Sequence, residues 1–121
     1  MSAASGPVRQ MPSDPFFAQS DTVTHEWTDG RGRRMHVALR VSYGTKAARA
    51  PVAAAQVQEN WDSAVQQARR VCEGADLTTG PGTVSCEEQL CSVLTSVLFP
   101  RVHDEEGAFV DRVIWKRLTW D

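Results

Sequence analysis

Hydrophobic positions along this chain change period several times, and each change marks an element. Val23, His25 and Trp27 alternate with Thr22, Thr24, Glu26 and Thr28, which predicts a short strand over Thr22–Thr28. Met35, Val37, Leu39, Val41 and Tyr43 share one face of a second strand, Arg34–Tyr43, opposite His36, Ala38, Arg40 and Ser42. Between them Asp29-Gly30-Arg31-Gly32 is turn chemistry, because glycine reaches positive φ without a steric penalty, so the two runs predict a β-hairpin. After the small-residue linker Gly44–Ala50 the period becomes helical. Val57, Trp61, Ala64, Val65, Ala68 and Val71 form one stripe of a helix from Pro51 to about Glu73, with Gly74 suited to the residue beyond its last turn. Ala75–Gly82 reads as a loop. Ser85 and Glu88 have the spacing of a capping box, and Leu90, Val93, Leu94, Val97 and Leu98 continue as a helix that Pro100 closes. Beyond the polar loop His103–Gly107, the stretch Ala108–Trp120 predicts a closing strand, apolar on both faces.

The order is therefore β-β-α-α-β, which implies an α+β fold: a small antiparallel sheet with two helices packed on one face. Residues 1–20, rich in Ser, Ala, Pro and Gly and without period, are expected to form a flexible tail before a single domain over residues 21–121.

Bulk properties narrow the function classes. A chain of 121 residues has room for one domain and a sufficient core. Thirteen Lys+Arg against fifteen Asp+Glu leave a net charge of −2, so no general attraction to nucleic acid or to an anionic membrane is expected. No run approaches the ~18 apolar residues of a membrane span, and the first residues lack the apolar core of a signal peptide. A chain without a direct membrane span is the expectation; the absence of a signal or membrane segment points to the cytoplasm, and a removed anchor would point instead to a membrane-associated or periplasmic location.

Candidate chemistry is sparse. Three cysteines are too few and too odd for a disulfide framework. Cys86 and Cys91 lie too far apart on one helix to bridge, whereas Cys72 and Cys86 are placed to meet across a helical hairpin. Small buried thiols are the favoured reading. No metal site is expected, since His25, His36 and His103 do not stand at ligand spacing with any cysteine. No cofactor motif and no catalytic motif appears. Asp29–Arg34 resembles a phosphate cradle only in composition, because no helix follows it, and a solvated hairpin tip fits better.

What remains is the aromatic closing strand. A segment carrying Phe109, Val113, Trp115, Leu118 and Trp120 needs cover from its own core or from another copy, which makes these five the candidate interface residues. The leading expectation is a non-enzymatic structural or interaction module that self-associates, or docks onto a larger assembly, with protein partners. Two alternatives stand beside it. One is a small cysteine-dependent enzyme or ligand-binding domain using Cys72, Cys86 or Cys91 with His25, His36 or His103. The other is nucleic-acid binding through Arg31, Arg33, Arg34 and Arg40, which the overall charge argues against.

The hairpin WTDGRGRRMHVALRV, the loop Asp76-Leu77-Thr78-Thr79-Gly80-Pro81-Gly82 of the form DL-T-x-x-G, the helix with EEQL and VLTSVL, and the strand VDRVIWKRLTW follow one another in a familiar order. That order resembles the extramembrane domain of the flagellar basal-body-associated FliL family, and the stomatin-like ring-forming domains that share its fold. The likeness covers roughly residues 22–120 as an order of elements; in sequence it is confined to the loop and the strand ends. It implies a non-enzymatic subunit that packs side to side into a ring and supports torque-generating stator units. No catalytic residue carries over. The family's N-terminal membrane helix has no counterpart in Met1–Ser20.

Overall fold

The computed structural model describes residues 14–100 and 108–121. Strand β1 (Pro15–Gln19), β2 (Val23–Thr28) and β3 (Arg34–Lys46) lead into a single 3-10 turn (Ala47–Arg49). Helices α1 (Ala50–Glu59), α2 (Trp61–Glu73) and α3 (Gly80–Leu98) follow, and β4 (Phe109–Trp120) closes the chain. The four strands form one antiparallel sheet. This is the expected α+β fold with a small sheet, enlarged by one strand and one helix.

β3 runs through the middle of the sheet. β4 pairs with it from Met35 to Gly44, a span that overlaps the partners of both β1 and β2, so β4 occupies one edge of β3 while β1 and β2 follow each other along the other. Gln19 pairs with Ser42 and Val23 with Leu39, which sets three residues, Ser20–Thr22, opposite Arg40 and Val41. Buried Ser20 carries the ladder across this irregularity: its amide donates to the Val41 carbonyl at 2.9 Å, and its Oγ accepts from the Val41 amide at 3.1 Å. The tail expectation is thus corrected over Pro15–Gln19. Phe16, Phe17 and Ala18 suit a strand, and β3 extends to Lys46 to receive them. Residues 1–13 lie outside the described residues.

The hairpin forms as its sequence predicts. Gly32 takes φ +81° at the tip, and the Asp29 carboxylate accepts from the Arg31 and Arg33 amides at 2.9 Å each. Met35, Val37, Leu39, Val41 and Tyr43 alternate into the core, each no more than 5% exposed. Ala64, Ala68 and Cys72 of α2 and Cys86, Leu90, Leu94 and Leu98 of α3 meet them at a four-residue repeat. Small side chains on α2 let it approach closely, while leucines on α3 fill the space.

Two helix boundaries differ from the sequence reading. The long helix expected from Pro51 to Glu73 breaks at Asn60, whose side-chain amide donates to the Leu98 carbonyl at the end of α3 (3.1 Å). The last helix starts at Gly80 and not at Ser85. Thr79, in extended conformation, is its cap and accepts from the Gly82 amide at 3.0 Å, with Pro81 in the first turn; Ser85 lies exposed within the helix.

Candidate interaction surfaces

Cross-strand partners share a face, so the register sorts the sheet into two sides. One side meets the helices. The other shows, from one end to the other, Phe17, Gly44 and Phe109; then Ser42, Arg112, Arg40 and Ile114; then Ala38, Arg117, His36 and Thr119. Among the described residues no helix covers that side. Phe17 and Phe109 both pair with Gly44, and their rings meet edge to face across it at 6.5 Å. A Cβ at Gly44 would stand 2.6 Å from the Phe17 ring, so the glycine is what lets the two rings close over the strand. They nevertheless remain 52% and 46% exposed.

β4 corrects the expectation of a strand apolar on both faces. Its ladder with β3 shifts twice, leaving Asp111 and Lys116 as surplus residues. Each shift turns the strand by one position. Val110, Val113, Trp115, Leu118 and Trp120 therefore all point to the helix side, and Phe109, Arg112, Ile114, Arg117 and Thr119 to the uncovered side. Of the five candidate interface residues, Val113, Trp115 and Leu118 are half-buried against the core, while Trp120 (44%) and Phe109 are exposed on opposite sides. Trp115 is held from α3, its indole N–H donating to Glu87 Oε2 at 2.6 Å. Alongside, α3 and β4 border an open groove of about 810 Å³ lined by Glu87, Glu88, Cys91, Thr95, Val110 and Asp111 among others.

The loop that carries the family likeness is built for folding. Leu77 is 2% exposed and plugs the core. Asp76 accepts from the Thr78 hydroxyl (2.5 Å) and amide (3.1 Å), and these bonds hold its carboxyl below the ordinary range. A Cβ on Gly82 would lie 1.9 Å from the Asp76 carbonyl oxygen, so only glycine permits the close approach. Arg33 joins this loop to the hairpin tip: its Nε donates to Asp29 Oδ2 at 2.7 Å and its Nη1 to Thr78 Oγ1 at 3.3 Å. At Asp29 partial desolvation acts upward, but the Arg33 and Arg31 donors outweigh it and the carboxyl is lowered. Arg33 thus serves as an internal tie. Of the other arginines weighed for a nucleic acid, Arg34 pairs with Glu26 (3.2 Å) and Arg40 donates to Thr22 Oγ1 (3.0 Å).

The cysteine and histidine candidates do not converge among the described residues. His25 pairs with Glu73 at 2.5 Å and stacks on Trp27; His36 stands 3.2 Å from both Glu26 and Asp121. His103 lies outside the described residues. Cys72 and Cys86 do meet across the α2–α3 hairpin as free thiols, both buried. The hydrogen bond to Cys86, and then burial, push the Cys72 thiol far up. Burial, with Asp111 and Glu87 nearby, also raises Cys91. Among the described residues no group of three or more His, Cys, Asp or Glu side chains is placed to hold a metal ion, and no helix is long and apolar enough to cross a membrane.

Sequence reasoning missed Phe17 and Gly44, which complete the aromatic end of the uncovered face. The signal was the pair Phe16-Phe17 inside a stretch otherwise read by its Ser, Pro and Gly content. No protein-family model matches the sequence, and no curated protein matches it.

Proposed function

We propose that this chain is a non-enzymatic structural module that associates with other protein chains, further copies of itself included, through the uncovered face of its sheet. One observation carries the reading: Phe17 and Phe109 are clasped over Gly44 on a face that no helix among the described residues covers, and the two residues remain about half exposed. Burying a phenylalanine side chain fully is worth about 1.5–3 kcal/mol, so two half-buried rings retain a driving force of that order for a partner surface. Large aromatics left exposed side by side at the end of an otherwise basic face are anchors of this kind.

The FliL likeness supports a narrower form of the reading, a ring subunit that supports stator units. The residues carrying that likeness, Asp76 to Gly82, position a helix start and fill the core, which supports a structural reading of this segment.

Sedimentation of the full chain from micromolar to millimolar concentration tests the proposal. The mass should rise with concentration, and Phe17→Ser with Phe109→Ser should hold it at the monomer without changing the circular dichroism. A chain that stays monomeric throughout, and retains no protein when immobilised, overturns it.

A further inference from the structure

We propose that the outer edge of β4 receives an extended acidic segment of a partner protein as an added strand. This rests on the interaction reading above but uses a different surface, the strand edge and not the Phe17–Phe109 end of the face.

The edge is open. β4 spans Phe109–Trp120 and, among the described residues, pairs only with β3. Among the described residues its outer side meets one polar group, Thr95 Oγ1, which accepts from the Val110 amide at 2.8 Å. At the opposite edge of the sheet the Arg69 guanidinium reaches the Thr24 carbonyl of β2 at 3.3 and 3.4 Å. An unpaired row of amides and carbonyls is a template for another strand.

Charge selects which strand. β3 and β4 carry Arg34, Arg40, Lys46, Arg112, Lys116 and Arg117 against a single acid, Asp111. The side chains of Arg112, Lys116 and Arg117 make no hydrogen bond or ion pair among the described residues. In two registers of β4 against an antiparallel second copy, Ile114 opposite Ile114 and the register one residue along, Arg112 would stand against Lys116 or Arg117. Val113 opposite Val113 opposes no like charges but leaves the same cations without acidic partners. Like charges directly opposite are unfavourable, and the two surplus residues further spoil a match between identical edges. An acidic strand makes the same contacts favourable.

The groove refines the pattern. Glu87, Glu88 and Asp111 border it with one cation, Arg112 at its rim, so side chains pointing over the groove meet more carboxylates than cations and should be small and uncharged. Acids belong only at alternate positions, on the side of Arg112 and Arg117. A nucleic-acid strand, charged at every unit, would carry its phosphates past these carboxylates, and the whole chain's charge of −2 works against it.

The test uses the full chain and a labelled peptide alternating glutamate with valine, followed by anisotropy and by hydrogen exchange of the β4 amides. Binding should weaken with salt, slow exchange along β4, and fall roughly tenfold or more in Arg112→Glu with Arg117→Glu, whose side chains are exposed and whose circular dichroism should match that of the parent chain. Equal binding of a lysine–valine peptide, equal binding of a peptide with its glutamates in one block, tighter binding of oligothymidine, or no binding at low salt each overturns the proposal. Loss of self-association in the Phe17 and Phe109 variants with peptide binding intact leaves it standing; oligomers that ignore the peptide overturn it and leave the broader reading in place.

Discussion

Trp115 on β4 and Glu87 on α3 are joined by a 2.6 Å hydrogen bond from the indole N–H to the carboxylate. A tryptophan near the end of the chain is thereby committed to the helix layer of its own subunit. Its ring, with Val113 and Leu118, closes the core along the edge strand. Glu87→Ala should leave the indole N–H without its partner and lower unfolding stability by about 1–2 kcal/mol in a urea titration, while Glu87→Gln recovers part of the loss. No change in either variant would mean that the bond contributes nothing to holding α3 on β4.

Gly82→Ala is expected to destabilise the fold by about 1–3 kcal/mol, because the added methyl meets the Asp76 carbonyl and the Thr79 hydroxyl, at 1.9 and 2.8 Å from its ideal position. Gly80→Ala, with nothing within 4 Å of its Cβ, is the control and should be close to neutral. Chemical denaturation of the pair separates close packing from the general effect of glycine on the unfolded chain.

Acid should loosen the hairpin–loop junction. Asp29 and Asp76 both have carboxyls held below their ordinary range in the folded chain. A depressed folded value contributes stability that is present above the unfolded value, about pH 4, and is lost as pH falls through the folded one. Stability measured from pH 6 downward should therefore decline below about pH 4. The decline should be shallower in Asp29→Asn and in Asp76→Asn, each already weaker at neutral pH. An unchanged slope in both would remove these carboxylates as its source.

The thiols provide a check on the cysteine-dependent alternative. Cys72 and Cys86 are 1% and 0% exposed, and Cys91, though half-buried, has its thiol raised by burial and nearby carboxylates. All three should label slowly with a maleimide at neutral pH in the folded chain and quickly in urea, with Cys91 first among the folded-state reactions. A single cysteine reacting at the rate of an activated thiolate would instead favour that alternative.

Much of the architecture was legible because β3 and the helices carry clean periods. Met35 to Tyr43 alternate without interruption, and Leu90, Leu94 and Leu98 repeat along one helix face, so strand and helix followed directly. The helix start was misplaced because Ser85 and Glu88 imitate a cap. The working cap at Thr79 depends on Gly82 lying against Asp76, a contact that no local spacing announces. Asn60 broke a helix for a similarly remote reason, its bond to Leu98. At the candidate surface, the closing strand read as two-sided because its helix-facing residues Val110, Val113, Trp115, Leu118 and Trp120 fall at a spacing that fits neither period, with Phe109 and Ile114 on the other face. Only pairing with β3 shows where the extra residues sit. Phe17 was hidden because a strand that exists by joining a distant edge needs little pattern of its own.

The surplus residues of β4 also bear on how this segment can change in length. Removing Lys116 would leave Trp115, Arg117, Leu118, Thr119 and Trp120 in plain alternation, every side chain keeping its present side. Removing Leu118 would swing Thr119 and Trp120 each to the wrong face. Loss of one residue is thus absorbed within Asp111–Arg112 or Lys116–Arg117 and misplaces side chains elsewhere along the strand, so natural variants of this strand should differ in size at those two points.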